Sequence, residues 1–344
     1  MQITVQSKSG ELAFDCGDHE LILHAGLRQG INLPFECATG TCGTCRARVV
    51  AGDVDIGWKE APGGARLKPE KGDVLMCQTR ARSDCILRVP SELAISEKSR
   101  PALRRGTIRD IVKLTKDVAH FDLHLSAPIT FHAGQFVILE TPGIAGARAY
   151  SMVNFAADID RIALVLKRKP GGRFSDWLFD QQSSDPEVDV FGPLGRAVFR
   201  PEEARNIVCI AGGSGIAGMM SILECAAQAD YFRTHKGVVF FGVRTLEDTF
   251  YLEELSRYVA VSHGNLDVTI ALSDQIAESP LHAKFPALKL ASGMVHQVAA
   301  EKMAGRDYDV ITYVAGPPIM VDSAIRTLLT GGISIKDIRY DKFS

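Results

Sequence analysis

No stretch of this 344-residue chain approaches 18 consecutive apolar residues, so no membrane-spanning helix is expected. Charge of one sign is also missing. Lys+Arg number 39 against Asp+Glu 41, a net charge of −2, and that balance excludes the basic face a nucleic-acid binder needs to neutralise phosphates. The amino end, Met1-Gln2-Ile3-Thr4-Val5, opens directly into an alternating pattern, with no charged and then apolar leader, so no signal peptide is expected. The eight cysteines are too few and too unevenly placed for a disulfide framework, and in a reducing compartment they are thiols or metal ligands. What the chain does have is 46% hydrophobic residues over a length that suits two or three domains.

Six cysteines (Cys16, Cys37, Cys42, Cys45, Cys77 and Cys85) precede residue 90, in a segment whose eleven acidic and eleven basic residues cancel. Ser91 to Gly106, basic and broken by Pro101, reads as a linker. From Thr107 to about Arg200 short strands with Gly and Pro punctuation predict a small barrel. In Ala119-His120-Phe121-Asp122-Leu123-His124-Leu125 the alternation is strict; His120, Asp122 and His124 are read as a solvated face rather than a metal pair. After Glu203, buried strands at Ile207–Ala211, Val238–Val243 and Tyr308–Val314 alternate with helical runs at Ile216–Ala229, Leu252–Val261 and Ile319–Leu329. That pattern predicts a parallel sheet covered on both faces. The domain limits expected are 1–92, a linker at 93–104, 105–203 and 204–344.

The strongest chemical signal is Cys37-x4-Cys42-x2-Cys45 with Cys77 downstream, the plant-type [2Fe–2S] spacing. Two bridged irons need four converging thiolates, three from one tight loop and a fourth from elsewhere. A zinc site would favour two short cysteine pairs, whereas Cys77 stands alone. Cys16 and Cys85 are expected to pack as small hydrophobes.

Two further motifs follow. Arg148-Ala149-Tyr150-Ser151 offers a guanidinium, an aromatic face and a hydroxyl, and Gly171-Gly172-Arg173-Phe174-Ser175 follows a strand ending in Lys167. Gly212-Gly213-Ser214-Gly215 lies between a buried strand and a helix, where dinucleotide phosphates bind in open α/β sheets. The G-x-G-x-x-G fingerprint is literally present with Gly218, but the acidic residue expected at the end of the next strand is missing; Arg244 stands there, with Glu247 and Asp248 beyond. Gly316-Pro317-Pro318 closes a third buried strand.

On these residues the chain resembles the NADH-dependent reductases of bacterial multicomponent oxygenases, over its whole length, and most nearly the branch serving toluene and related arene monooxygenases. The finer likeness rests on Trp58, Ala61-Pro62-Gly63 and Tyr340-Asp341-Lys342-Phe343. The resemblance implies a ferredoxin β-grasp, then a six-stranded antiparallel FAD-binding barrel, then a parallel α/β NAD-binding domain. It implies a [2Fe–2S] cluster on Cys37, Cys42, Cys45 and Cys77, with FAD and NADH as the other cofactors. Arg148 would neutralise the FAD pyrophosphate, Tyr150 would lie on the flavin or its ribityl chain, and Ser151 would place its hydroxyl near N5, making Tyr150 and Ser151 the catalytic pair. Lys167, Gly172, Arg173, Phe174 and Ser175 would complete the flavin site, and Gly212, Gly213, Ser214, Gly215, Arg244, Gly316 and Pro317 would bind the nicotinamide dinucleotide. Glu247 and Asp248 disfavour a 2′-phosphate, hence NADH. Phe343 would either cover the flavin's nicotinamide face or simply pack the last strand. Ala315 and Gly218 depart from the family, which usually has cysteine and proline there; a looser turn is expected at Gly218.

The activity implied is that of an iron–sulfur flavoprotein oxidoreductase: hydride from NADH, single electrons out through the cluster to a Rieske ferredoxin or a terminal oxygenase. The oxygenase would be a di-iron arene monooxygenase or a Rieske ring-hydroxylating dioxygenase or demethylase. Arg46 and Arg48 beside the cluster loop would meet the partner. A cytoplasmic monomer is implied, with no nucleic-acid or membrane partner. A redox sensor would need an effector segment, and none is read in the sequence.

Overall fold

The computed structural model describes residues 1–95, 100–180, 185–275, 284–304 and 309–342. The chain forms two compact units. The first comprises Met1–Arg105, Val137–Ala149 and Val188–Leu194; the second comprises Gly106–Phe136, Tyr150–Glu187 and Gly195–Ser344.

The amino-terminal strands are β1 (Gln2–Ser7), β2 (Gly10–Asp15), β3 (Arg46–Ala51), β4 (Val54–Ile56), β5 (Asp73–Leu75), β6 (Thr79–Ala81) and β7 (Cys85–Arg88). Five of them form a mixed sheet in the order β2-β1-β7-β3-β5, and β4 pairs with β6. β1 lies parallel to β7 and antiparallel to β2, so the hairpin's return must cross the sheet. Helix α1 (Ile22–Arg28) makes that crossing and buries Ile22, Leu23, Ala25 and Leu27. Gly26 has no room for a side chain: a Cβ would stand 2.4 Å from Leu33 Cδ1. Cys16 and Cys85 are each 2% exposed and pack in the core as expected.

The flavin-type sheet has the order β11-β10-β13-β8-β9-β12. Its strands are β8 (Ala102–Lys113), β9 (Val118–Ile129), β10 (Phe136–Thr141), β11 (Ile144–Ser151), β12 (Ile159–Lys167) and β13 (Glu187–Leu194). Helix α2 (Arg173–Asp180) follows β12 and buries Phe174, Leu178 and Phe179. The solvated face expected on β9 is a correction. Asp122 is 4% exposed and paired with Arg161 of β12, while His120 bonds Tyr251 Oη at 2.8 Å. Neither contact has a local signal in the strand's alternation.

The carboxyl-terminal sheet is wholly parallel, in the order β17-β16-β15-β14-β18-β19. Its elements run β14 (Asn206–Gly212), α3 (Ile216–Gln228), β15 (Gly237–Val243), α4 (Leu252–Ala260), β16 (Leu266–Leu272), β17 (Lys289–Ser292), α5 (Val295–Met303), β18 (Val310–Gly316), α6 (Pro318–Thr330) and β19 (Ile338–Lys342). Along β14, Ile207, Cys209 and Ala211 pack with α3 and α4, and Val208 and Ile210 pack with α5 and α6. Helices therefore cover both faces, which is why the strand reads as an unbroken apolar run. The chain order reverses between β14 and β18. In open α/β sheets that switch point opens a crevice at the carboxyl ends of the two strands, where ligands bind.

Candidate functional site

The cysteine loop is built to turn its amides inward. Ala38, Gly40 and Gly43 adopt φ of 54°, 91° and 83°, the left-handed region that glycine enters without steric cost. As a result the N–H groups of Thr39 and Cys42 both donate to Cys37 Sγ at 3.4 Å, and that of Thr44 donates to Cys42 Sγ at 3.4 Å. Cys45 and Cys77 hold their sulfurs 3.2 Å apart, and the Gln78 amide approaches Cys77 Sγ at 3.7 Å. The four thiols thus stand as two pairs, Cys37 with Cys42 and Cys45 with Cys77. Among the described residues no three such donors converge as one ion would require. Two thiolates for each of two irons is the donor set of a [2Fe–2S] centre, so the residues fit that group. Hydrogen bonds, first from the Cys42 thiol and then from Thr41 and Thr39, favour the Cys37 thiolate over the thiol and outweigh the opposing effect of burial.

A second segment seals the loop. Gly63 N–H donates to the Gly40 carbonyl at 2.9 Å, and a Cβ on Gly63 would meet Gly43 N at 2.5 Å. Ala61-Pro62-Gly63 is therefore backbone packed on backbone. Beside it, Arg46 and Arg48 on β3 both bond the buried Asp73 carboxylate, at 2.8 and 3.0 Å, while remaining 45% and 42% exposed themselves.

Of the candidate flavin residues, Arg148 lies on β11 and donates to the Gly146 carbonyl; Tyr150 and Ser151 end the strand. The Tyr150 ring meets Phe121 edge-on, with centroids 6.2 Å apart, and Phe174 at 5.8 Å. Phe174 is 2% exposed and in turn meets Trp177. Its ring therefore backs Tyr150 from within the fold. The Gly171-Gly172 turn needs glycine, because a Cβ on Gly172 would fall 2.6 Å from Ser175 Oγ. Ser175 Oγ accepts from Lys169 N–H and lies 3.1 and 3.0 Å from the Lys169 and Gly172 carbonyls. That hydroxyl is committed to the turn itself. Arg173, next to it, is exposed at the start of α2. Lys167, at the end of β12, pairs with Asp117 at 3.3 Å.

Ser151 is 6% exposed and lies against α3: a Cβ on Gly218 would contact Ser151 Cβ and Oγ at 3.5 Å. Gly218 therefore sits inside the first turn of a helix and not in a loosened loop, which corrects the expectation made of it. Ser221, one turn on, accepts from Gly134 N–H at 2.8 Å and donates to the Gly218 carbonyl. The arrangement brings the Tyr-Ser end of the flavin motif next to the glycine turn after β14.

Both nucleotide-side turns lie at the switch point. Ala211 of β14 is in register with Ala315 of β18, so Gly212-Gly213-Ser214-Gly215 and Gly316-Pro317 leave adjacent strand ends. A Cβ on Gly215 would lie 2.4 Å from the Ala315 carbonyl oxygen, and one on Gly316 would lie 3.1 Å from the Gly212 oxygen. Gly213 has φ 53°. The two turns are packed on each other's main chain, a glycine requirement that the fingerprint itself does not state.

Arg244, just past β15, pairs with Asp248 at 3.2 Å and with Asp117 at 3.6 Å. Asp248 also accepts from Thr245 N–H, closing a reciprocal cap. The pairing with Asp117, more than a hundred residues upstream, could not be read from spacing. Phe343 lies outside the described residues.

Three family models match in succession: a 2Fe-2S iron-sulfur cluster binding domain at residues 3–82, an oxidoreductase FAD-binding domain at 105–199 and an oxidoreductase NAD-binding domain at 209–326. The chain is 38% identical over 339 residues to the ferredoxin–NAD(+) reductase component of an alkene monooxygenase system from Xanthobacter autotrophicus, covering 96% of this chain and 98% of that one. It is 33% identical to the reductase component of a phenol 2-monooxygenase from a Pseudomonas species, covering 95% and 90%. Among solved structures it resembles the ferredoxin reductase in carbazole 1,9a-dioxygenase, with TM-score 0.82, 29% identity and coverage of 100% and 99%. Each of these matches spans at least nine tenths of both chains. The chain belongs to the iron–sulfur flavoprotein reductase components of multicomponent oxygenases.

Proposed function

We propose that this reductase serves a monooxygenase, delivering single electrons to a di-iron hydroxylase directly or through a small Rieske ferredoxin. The single observation that carries the choice is the ranking of its relatives: those named for alkene and phenol monooxygenases are 38% and 33% identical, against 29% for the carbazole 1,9a-dioxygenase ferredoxin reductase and 28% for the one named for toluate 1,2-dioxygenase. For an aromatic substrate of the partner, the relatives named for phenol 2-monooxygenase and phenol hydroxylase are 33% and 29% identical and the one named for xylene/toluene monooxygenase is 26% identical.

When bound, FAD supplies the conversion of a two-electron donor into single-electron steps, and the cluster carries the electrons out. The chain's own residues bind and position. In this reading Arg148 neutralises a pyrophosphate, and Tyr150, held between Phe121 and Phe174, gives the flavin a rigid aromatic support. Ser151, buried against α3, presents a hydroxyl beside the glycine turn that receives the nicotinamide dinucleotide. Hydride transfer depends chiefly on such positioning. Lys167, Gly172, Arg173, Phe174 and Ser175 form the flavin-side turn, and Gly212 to Gly215, Arg244, Gly316 and Pro317 the nucleotide crevice. The modules are proposed to divide at 1–92, 105–203 and 204–344, joined by 93–104. Eight free thiols suit a reducing cytoplasm, and no helix among the described residues is long and apolar enough to cross a membrane. We propose a monomer, testable by sedimentation.

The test of the partner is anaerobic cross-linking of the reduced holoprotein in a lysate of the native host, with the acceptor identified by mass spectrometry and by its iron spectrum. A di-iron hydroxylase, alone or with a Rieske ferredoxin, is the expected result. An acceptor holding a Rieske centre and mononuclear iron overturns the monooxygenase reading.

A further inference from the structure

We infer that Asp117 is a specificity-determining residue for the nicotinamide coenzyme: it ties up Arg244 and so excludes a 2′-phosphate. The inference rests on the reading of the β14–β18 crevice as the dinucleotide site. In such sheets the group at the end of the second strand meets the adenosine ribose, where an acid selects a 2′-hydroxyl and an arginine accommodates a 2′-phosphate. β15 is followed directly by an arginine, Arg244, which taken alone would favour the phosphate.

The surroundings reverse that. One oxygen of Asp117, Oδ2, stands 3.6 Å from Arg244 Nη2 and 3.3 Å from Lys167 Nζ. Asp248 takes the same Arg244 nitrogen at 3.2 Å. Glu247 is exposed next to it. Two cations are thus matched by two carboxylates, a local charge of zero that leaves no positive charge over for a 2′-phosphate, which would bring about −1.5 to −2. A neutral 2′-hydroxyl requires none.

Asp117 is held for this task. Its other oxygen, Oδ1, accepts from the Thr115 hydroxyl at 3.1 Å, and Thr115 Oγ1 accepts from the N–H groups of Asp117 and Val118. The turn between β8 and β9 therefore fixes the carboxylate from a part of the chain that lies outside the dinucleotide fold. His120, three residues on, bonds Tyr251 Oη at 2.8 Å. Tyr251 has φ 59° at the start of α4, so the same turn region also grips the loop that carries Arg244.

Asp117→Asn keeps the turn's hydrogen bonds and removes the charge. The experiment measures calorimetric binding of ADP-ribose and of 2′-phospho-ADP-ribose to the holoprotein, for wild type, Asp117→Asn, Asp117→Ala and Asp117→Asn/Arg244→Ala. FAD content and melting temperature serve as folding controls. The expected result is 2′-phospho-ADP-ribose binding at least about tenfold tighter to both single variants, ADP-ribose unchanged within about twofold, and the gain lost in the double variant. An unchanged ratio in both single variants, or a gain that survives loss of Arg244, overturns the role of Asp117. Failure of ADP-ribose to bind the wild type would overturn the site reading as well.

Discussion

His24 of α1 lies flat on Phe191 of β13, ring centroids 4.0 Å apart and planes 12° from parallel. The imidazole is 7% exposed, and its Nε2 has no partner among the described residues. Burial holds it neutral and pulls its pKa from 6.5 to about 4. The unfolded chain therefore binds the extra proton between those values. Stability is complete above about pH 6.5 and falls as the pH drops towards 4, by roughly 3 kcal/mol in all. His24→Phe keeps the stack and removes the titration. Its melting temperature is expected to exceed that of the wild type at pH 5 by more than at pH 7.5; equal gaps at the two pH values would sink the idea.

Gly215 and Gly218 are expected to respond in opposite directions to alanine. At Gly215 the new methyl lies 2.4 Å from a main-chain oxygen that cannot step aside, so Gly215→Ala should cost about 2 kcal/mol or more and raise the KM for NADH. At Gly218 the methyl meets Ser151 at an ordinary 3.5 Å inside a helix. Gly218→Ala should stabilise by about 0.5–1 kcal/mol. Thermal melts of the two variants decide.

Cys77→Ser breaks the Cys45–Cys77 pair and leaves the remainder of the loop intact. The variant is expected to lose the cluster's absorption and paramagnetic signal while keeping FAD, and to reduce ferricyanide with NADH but not the natural acceptor. Retention of acceptor reduction would contradict an exit through the cluster.

Salt gives a further check. Arg46 and Arg48 already share Asp73, and the cysteine module carries eleven charges of each sign. Docking to the acceptor should therefore depend little on long-range attraction. Coupled activity is expected to fall by no more than about threefold between about 0.05 and 0.3 M salt. A steep decline would point to a charged interface.

The sequence shows best those features whose physical cause is local. The cysteine spacing is legible because three ligands share one loop, and β14, α3 and β15 because each is bounded by glycine and filled with apolar residues. The short edge strands β17 and β19 carry weaker patterns and escape the reading. So do the roles of His120 and Asp122, whose alternation is that of a solvated face. What engages them is Tyr251 and Arg161, and no periodicity reports a partner 131 or 39 residues away. Ser175 shows the converse limit: its motif position is plain, yet its hydroxyl serves the turn. Asp117 is invisible for the same reason as Tyr251.

The contact of Gly215 with Ala315, and of Gly316 with Gly212, has a practical corollary for anyone remodelling this enzyme. Two loops a hundred residues apart behave as a single moulded part. Transplanting either one from a relative with bulkier residues would jam the other, so a change of coenzyme chemistry on this scaffold calls for exchanging both together, as a matched cassette.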